Sequence, residues 1–455
     1  MTTAVPRQRD RSRTTETWVS HRRARRLWVA GLVTVLAGPA LLWLLTAGPQ
    51  PLGRELSVTS GLVALSGLVV TATLPSRLRG LSRALGLETL LHLHRQLGVL
   101  TGAAVALHVA CAVGADPARI SAPNPRAMAA TAAAVAIAVL LLLALRRHRS
   151  SQPHEVWRWV HLVLAAAVVG GSALHVLWLN NLVNDPLMGP VLAILGLLLL
   201  AVLVVRWGCR GVFEHEGRMR VRAVRRESET VSTLVLDGRS RHAGAWFRPG
   251  QFAWLRLERY SVEEHPFTIA SSAHQAGRVE FTIRHTGDFA DRLRRLPRGS
   301  TVWVDGPYGS FTTDAVPSAG YVLIAGGVGI TPMMSMLRTA ADRGDPRPYR
   351  LVVHARDRAD LLFRAELAEL RTRLDLEVTE VLRTPALDWD GATGPIDTAL
   401  LAAVLTDLDP RHRQPPHRLD YFICGRPSLV TDVLDTLTAL GVPDDRVHTE
   451  QFAHI

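Results

Sequence analysis

His94 and His108 stand fourteen residues apart, as do His161 and His175, and each pair lies inside an otherwise apolar stretch. On an α-helix fourteen residues rise about 21 Å and turn about 1400°, four turns less roughly 40°, so each pair occupies one face at two depths. Two such helices side by side present facing histidines at both levels. A single histidine in a membrane helix more often packs against a polar neighbour. Two pairs at equal spacing point instead to a function, because ionisable groups in lipid are costly. Neutral imidazole is the usual axial ligand of haem iron, and two haems stacked across a membrane are the simplest reading, with His94, His108, His161 and His175 as metal ligands. His92 lies about 160° around the helix from His108 and is the spare, expected near the headgroups. His148 and His154 fall in a basic connection and have no partner at depth.

The chain has 455 residues, too many for one ordinary domain, and its apolar content is concentrated before residue 206. Stretches near 27–47, 56–74, 88–113, 127–145, 156–179 and 187–205 are each long enough to cross about 30 Å of hydrocarbon. Pro39 in the first is tolerable within a membrane bundle. Arginine sets the orientation. The N-terminal tail carries Arg7, Arg9, Arg11, Arg13, Arg22, Arg23, Arg25 and Arg26, and the second and fourth connections carry Arg77, Arg79, Arg83, Arg146, Arg147 and Arg149. These segments are expected in the cytoplasm, giving a multi-pass cell-membrane protein with both termini inside. His94 and His161 then lie near the inner face, His108 and His175 near the outer one. The first apolar run is of full spanning length and lacks a persuasive cleavage site, so a removable signal peptide is not expected. Much of the net charge of +12 flanks membrane segments, so no nucleic-acid partner is expected; membrane lipid is.

Cysteine occurs only at Cys111, Cys209 and Cys424, too few for a plant-type iron–sulfur cluster and too scattered for a disulfide framework. After a basic linker, short β-like runs at 220–224, 230–236, 251–257 and 279–284 suggest a small antiparallel barrel. Within it, His265, Pro266, Phe267, Thr268, Ile269, Ala270, Ser271 and Ser272 form an extended run that could lie along a flat heteroaromatic ring or simply be an edge strand. A continuous apolar strand at 321–325 leads through Gly326, Gly327, Val328, Gly329, Ile330, Thr331 and Pro332 into an amphipathic run at 333–341. Such a strand, glycine turn and helix lets a pyrophosphate approach bare amides at a positive helix end, although glycines in a turn are alone a weak signal. A second strand at 349–354 and a helix at 361–373 continue a parallel α/β pattern.

At this point the chain resembles the membrane flavocytochrome b proteins that include ferric reductases and NADPH oxidases, whose soluble half is similar to ferredoxin-NADP reductases. The matching pieces are HPFTIASS from His265, GPYG from Gly306, GGVGITP from Gly326 and the ICG turn at Ile423, Cys424 and Gly425. The resemblance covers residues 27–455. A basic tail over 1–26 lies outside it, and it implies a six-helix transmembrane haem domain over 27–206 and a linker over 207–218. An antiparallel β-barrel FAD domain over 219–315 and an α/β parallel-sheet NAD(P) domain over 316–455 follow.

Carried over by residue, the resemblance implies that Phe267 and Thr268 lie against the flavin, with Thr268 near its reactive nitrogen, and that His265, Pro266, Ser271 and Ser272 complete the cradle. Arg284 matches an arginine near the FAD phosphates, where a guanidinium suits a charge-assisted contact. Gly306, Pro307 and Tyr308 look like the turn between the two soluble domains. Gly326, Gly327, Gly329 and Thr331 would receive the nicotinamide dinucleotide, and Cys424 and Gly425 would sit near its ring, making Thr268 and Cys424 the residues closest to the chemistry. Two departures stand out: Arg426 separates the Cys-Gly pair from Pro427, and Ala453, His454 and Ile455 extend past Phe452, which either shields the flavin or packs as core. Arg356 and Arg358 could pair with a 2′-phosphate, while Asp357 could serve a ribose hydroxyl, so NADPH is favoured over NADH.

The expectation is a transmembrane oxidoreductase using NAD(P)H, FAD and two haem b, with a small-molecule acceptor such as a ferric chelate or dioxygen outside the cytoplasm. Two alternatives remain open on the residues alone. One is a proton or metal transporter with a histidine relay and a redox-sensing flavin domain. The other is a membrane-anchored flavin reductase serving a cytoplasmic partner. No recognisable motif names the acceptor or a protein partner; Asp116, Arg119, Asn124 and Asp185 in the outer connections are expected to cap helices.

Overall fold

A computed structural model of the chain describes residues 9–115, 124–146, 154–178, 180–208, 217–238, 246–259, 261, 263–275, 277–406 and 416–451. The chain divides into two compact units, Met1–Arg210 and Gly211–Ile455.

The first unit is helical: α1 (Arg9–Thr46), α2 (Leu52–Thr73), α3 (Arg79–Leu85), α4 (Leu87–Ala115), α5 (Pro125–Arg146), α6 (His154–Leu177) and α7 (Met188–Leu203). Among the described residues, six helices are long and apolar enough to cross a membrane: Arg23–Thr46, Leu52–Ser76, Thr89–Gly114, Pro125–Arg146, Val156–Leu177 and Met188–Arg206. They match the six stretches expected from the sequence. The short α3 was not anticipated; its arginines had marked the segment only as a connection. Asn124 and Asp185 do cap, Oδ1 of each accepting from backbone N–H groups of the helix that follows, whereas Asp116 and Arg119 lie outside the described residues. α2 is the central element, 44% of its apolar window being buried against 6–17% for the other five. It packs along α4, and α5 packs along α6. The outward faces keep large apolar side chains exposed, such as Leu100, Val163 and Leu177. A surface of that kind suits contact with lipid.

The second unit holds two sheets. Strands β1 (Arg218–Arg226), β2 (Val231–Gly238), β3 (Phe252–Arg256), β4 (His265–Thr268), β5 (Arg278–Arg284) and β6 (Thr301–Tyr308) form an antiparallel sheet in the order β4-β3-β6-β1-β2-β5, with α8 (Gly287–Arg294) after β5. Inward residues such as Leu236, Leu255, Ile269, Phe281 and Val302 make its core. Strands β7 (Tyr321–Gly326), β8 (Tyr349–Ala355), β9 (Leu376–Leu382), β10 (Ala392–Thr393), β11 (Asp420–Gly425) and β12 (Val447–Gln451) form a parallel sheet ordered β10-β9-β8-β7-β11-β12. It is flanked by α9 (Ile330–Arg343), α10 (Arg364–Leu370), α11 (Thr398–Thr406) and α12 (Pro427–Ala439). The continuous apolar run of β7 is buried on both faces, as parallel strands require. The strand order reverses between β7 and β11, so their C-terminal ends open the crevice where open α/β sheets bind ligands.

Two expectations need correction. Gly306, Pro307 and Tyr308 are not a free turn: they end β6, with Tyr308 paired to Phe252 of β3. Likewise Ile423, Cys424 and Gly425 are the last residues of β11 and pair with β12. Glycine and proline were read as punctuation, but here each segment still has a neighbouring strand to pair with.

Candidate functional site

In the helical unit the four histidines meet as two pairs. The rings of His94 and His161 have centroids 6.1 Å apart, and those of His108 and His175 6.2 Å. A metal–imidazole bond of about 2.0 to 2.1 Å would put a ring centroid about 3.2 Å from the metal, so two imidazoles on opposite sides of one metal would stand about 6.4 Å apart. Both pairs fit that spacing. Among the described residues no group of three or more His, Cys, Asp or Glu gathers to hold a metal ion alone. Two opposed imidazoles suit a group that brings its remaining donors with it, as a porphyrin brings four nitrogens. Next to Gly98, one turn from His94 on the same face, there is open space within 4 Å of where a Cβ would stand.

The rings are themselves held. Nδ1–H of His94 donates to the carbonyl oxygen of Thr71 at 2.9 Å, and Nδ1–H of His108 to that of Ser57 at 2.7 Å. A carbonyl only accepts, so each proton sits on Nδ1 and leaves Nε2 as the free lone pair. His161 is stacked on Trp157, one turn earlier on α6, with centroids 5.0 Å apart and planes inclined 27°. His92 instead meets Gln96 in an exposed pair, consistent with its being the spare.

In the second unit, β4 carries His265, Pro266, Phe267 and Thr268 beside β3. His265 and Phe267 both lie against Phe289 of α8, at centroid distances of 4.4 and 6.2 Å. The Thr268 hydroxyl is buried and has no hydrogen-bond partner among the described residues. An orphaned buried hydroxyl is costly unless something completes it, and a flavin ring nitrogen or carbonyl would. Ser271 and Ser272 are placed differently: their Oγ atoms accept from the backbone N–H groups of Glu280 and His274 at 3.2 and 3.1 Å. Both therefore brace the loop that leaves β4.

Arg284 ends β5 exposed, and a Cβ at Gly327 would stand 2.9 Å from its Nη2. The strand and the glycine loop are thus brought together. Gly327 has φ +57°, which favours glycine, and Thr331 turns its hydroxyl back to the Val328 carbonyl at 2.7 Å. A Cβ at Gly329 would strike the Cys424 carbonyl, and one at Gly326 would stand 2.5 Å from Leu429. The loop therefore presents bare backbone at the ends of β7 and β11, beside Gly425. The Cys424 thiol is fully buried, and burial pushes it well above the ordinary thiol range. At the end of β8, Arg356 is exposed, Arg358 pairs with Asp388, and the Asp357 carboxylate accepts from the N–H groups of Ala359 and Asp360. Phe452 lies outside the described residues.

Sequence reading missed the clamp between the two sheets. From α9, Ser335 donates to the Ser271 carbonyl at 2.9 Å, Thr339 accepts from the Ala273 N–H at 2.8 Å, and Arg338 reaches the Ala270 carbonyl at 2.7 Å. The signal was present as polar residues at positions 335, 338 and 339, amid the apolar residues of the middle of that helix.

Three family models match the chain: "Ferric reductase like transmembrane component" over residues 60–172, "FAD-binding domain" over 226–312 and "Oxidoreductase NAD-binding domain" over 323–435. Among curated proteins, the chain is 33% identical over 211 residues to the reductase component of propane 2-monooxygenase from Mycolicibacterium goodii, covering 45% of this chain and 59% of that protein. It is 30% identical over 241 residues to ferredoxin–NADP reductase B of Sorangium cellulosum, covering 51% of this chain and 96% of that protein. A solved structure, the FAD/NAD-binding domain of nitric oxide dioxygenase from Vibrio cholerae, is 23% identical with a TM-score of 0.44, covering 52% of this chain and 98% of that one.

Proposed function

Because the chain belongs to the ferric reductase-like membrane flavocytochromes with a ferredoxin–NADP reductase-type module, we propose that it takes electrons from cytoplasmic NAD(P)H and delivers them to an acceptor across the membrane. FAD, the nicotinamide coenzyme and two b-type haems supply the redox chemistry when bound, namely hydride acceptance and one-electron relay. The protein's residues bind, orient and insulate.

Phe267 and His265 offer a face to the flavin, and the orphaned Thr268 hydroxyl offers it a hydrogen bond. Arg284 supplies positive charge between β5 and the glycine loop, while Gly326, Gly327 and Gly329 admit the coenzyme's phosphates to bare backbone. The buried Cys424 thiol stays protonated at neutral pH and gives the nicotinamide a neutral neighbour. NADPH is the favoured coenzyme. The Asp357 carboxylate is engaged in capping its own turn, and Arg358 is paired, which leaves Arg356 for a 2′-phosphate. His94 with His161, and His108 with His175, would hold the inner and outer haem. The arginine-rich tail and connections put the first pair nearer the cytoplasm. Ferric chelates and dioxygen both accept single electrons and are the acceptor classes proposed.

One observation carries the reading: two imidazole pairs repeat the same separation, 6.1 and 6.2 Å, at two levels of one bundle. A histidine relay for protons is disfavoured because His94 and His108 donate to backbone carbonyls, which cannot pass a proton on. The test is reconstitution in vesicles with NADPH on the cytoplasmic face. Ferrous iron or superoxide should form on the opposite side, and product confined to the NADPH side would contradict the proposal.

A further inference from the structure

We propose that α2 is the frame that sets both α4 imidazoles for metal binding, and that Gly61 and Pro75 are its positioning residues; this rests on the haem reading above. Thr71 and Ser57 are fourteen residues apart on α2, matching the spacing of His94 and His108 on the neighbouring α4. Each gives its backbone carbonyl to one Nδ1–H, at 2.9 and 2.7 Å.

Such carbonyls are normally committed, since a helix carbonyl accepts from the N–H four residues on and that residue's side chain crowds it. Helix α2 makes each available by a different device. Four residues after Thr71 stands Pro75, which has no N–H, in the turn Leu74–Ser76 that ends the helix. The Thr71 carbonyl is released. Four residues after Ser57 stands Gly61, which has its N–H but no side chain. A Cβ there would be 2.8 Å from Nδ1 and 3.1 Å from Cε1 of His108, closer than packed atoms stand. The missing methyl is the space that the ring fills.

The consequence is chemical as well as steric. Donation to a carbonyl fixes the tautomer, leaves Nε2 of both rings as the lone pair available to a metal, and would raise ligand basicity. A more basic ligand stabilises the ferric state. Partners of this kind typically change metal affinity about 10- to 100-fold when lost.

The experiment uses the full chain in nanodiscs, with haem per chain counted by pyridine haemochrome and both midpoint potentials read by spectroelectrochemistry. Gly61→Ala should weaken haem binding at the His108 level about 10- to 100-fold, leaving a species with one haem and the wild-type midpoint of the His94 level. Pro75→Ala restores an N–H that competes for the Thr71 carbonyl. It should keep both haems and raise the His94-level midpoint alone. Gly67→Ala is the control: its Cβ would meet the Thr101 hydroxyl at 2.5 Å, between the levels and away from either imidazole. Both haems and both midpoints should survive it. If Gly61→Ala fails to fold, Pro75→Ala decides. Unchanged haem count and midpoints in Gly61→Ala and Pro75→Ala overturn the positioning role while leaving the haem reading intact, as does a Gly67→Ala protein that behaves like Gly61→Ala. Wild-type protein that takes up no haem sinks both.

Discussion

Arg338 donates through Nη1 to the carbonyl oxygen of Ala270 at 2.7 Å, two residues past Thr268. Its other nitrogens grip both carboxylate oxygens of Glu366 at 2.6 and 2.7 Å, and Glu280 lies 3.4 Å away. The dinucleotide helix is thereby pinned to the segment that leaves β4. On the proposed reading, the spacing between nicotinamide and flavin would depend on that join.

Arg338→Ala should therefore cost the second unit about 1–3 kcal/mol, because it leaves the half-buried Glu366 carboxylate without its partner and gives up the donor to the Ala270 carbonyl, while Glu280 keeps Arg225 and Arg278. Urea unfolding followed by flavin fluorescence reads the loss. FAD reduction by NADPH should slow in the same variant, and Arg338→Lys, which keeps charge but not the fork, should fall between. A variant with wild-type stability would contradict the role.

Thr268→Val tests the orphaned hydroxyl. Without flavin the substitution should be neutral or slightly stabilising, since it removes a buried group with no hydrogen-bond partner. With flavin bound, stopped-flow hydride transfer should slow on the order of 10²-fold, the usual effect of deleting one aimed donor. Equal rates would place the hydroxyl outside the flavin site.

On the proposed reading, coenzyme choice rests on Arg356. A charge-assisted contact to a 2′-phosphate contributes about 1.5–3 kcal/mol. Arg356→Gln should thus lower kcat/KM for NADPH roughly 10- to 100-fold and leave NADH almost untouched. An equal effect on both coenzymes would move the 2′-phosphate site elsewhere.

Acid sensitivity should trace in part to Asp420. Burial alone would lift its carboxyl, but hydrogen bonds from donors that include His448 and Arg446, each at 2.9 Å, hold it below the usual carboxylate range. A folded value below the unfolded one means stability that is present above the unfolded value and lost as pH falls through the folded one. Asp420→Asn should therefore be less stable than wild type at pH 7 by about 1–3 kcal/mol, with the gap closing below pH about 4. A gap independent of pH would show that the charge is not the cause.

Much of this was legible in the chain itself. The histidine spacing anticipated the two facing pairs, because helical periodicity fixes which side chains share a face. The buried run at Tyr321 and the glycines after it anticipated the crevice. What escaped reading depends on partners distant in sequence. Arg338 acquires meaning only when α9 lies against Ala270, and Gly61 only when α4 brings His108 to within a methyl's width. The GPY and ICG segments read as turns in the sequence because local composition does not reveal that β3 and β12 pair with them.

The most direct test of the central claim is a haem count with a redox titration on purified wild type and on four single variants, His94→Ala, His108→Ala, His161→Ala and His175→Ala. Wild type should carry two low-spin haems with separate midpoints. His94→Ala and His161→Ala should lose one and the same signal, and His108→Ala and His175→Ala the other. Wild-type protein without haem, or variants whose losses do not fall into these two pairs, would contradict it.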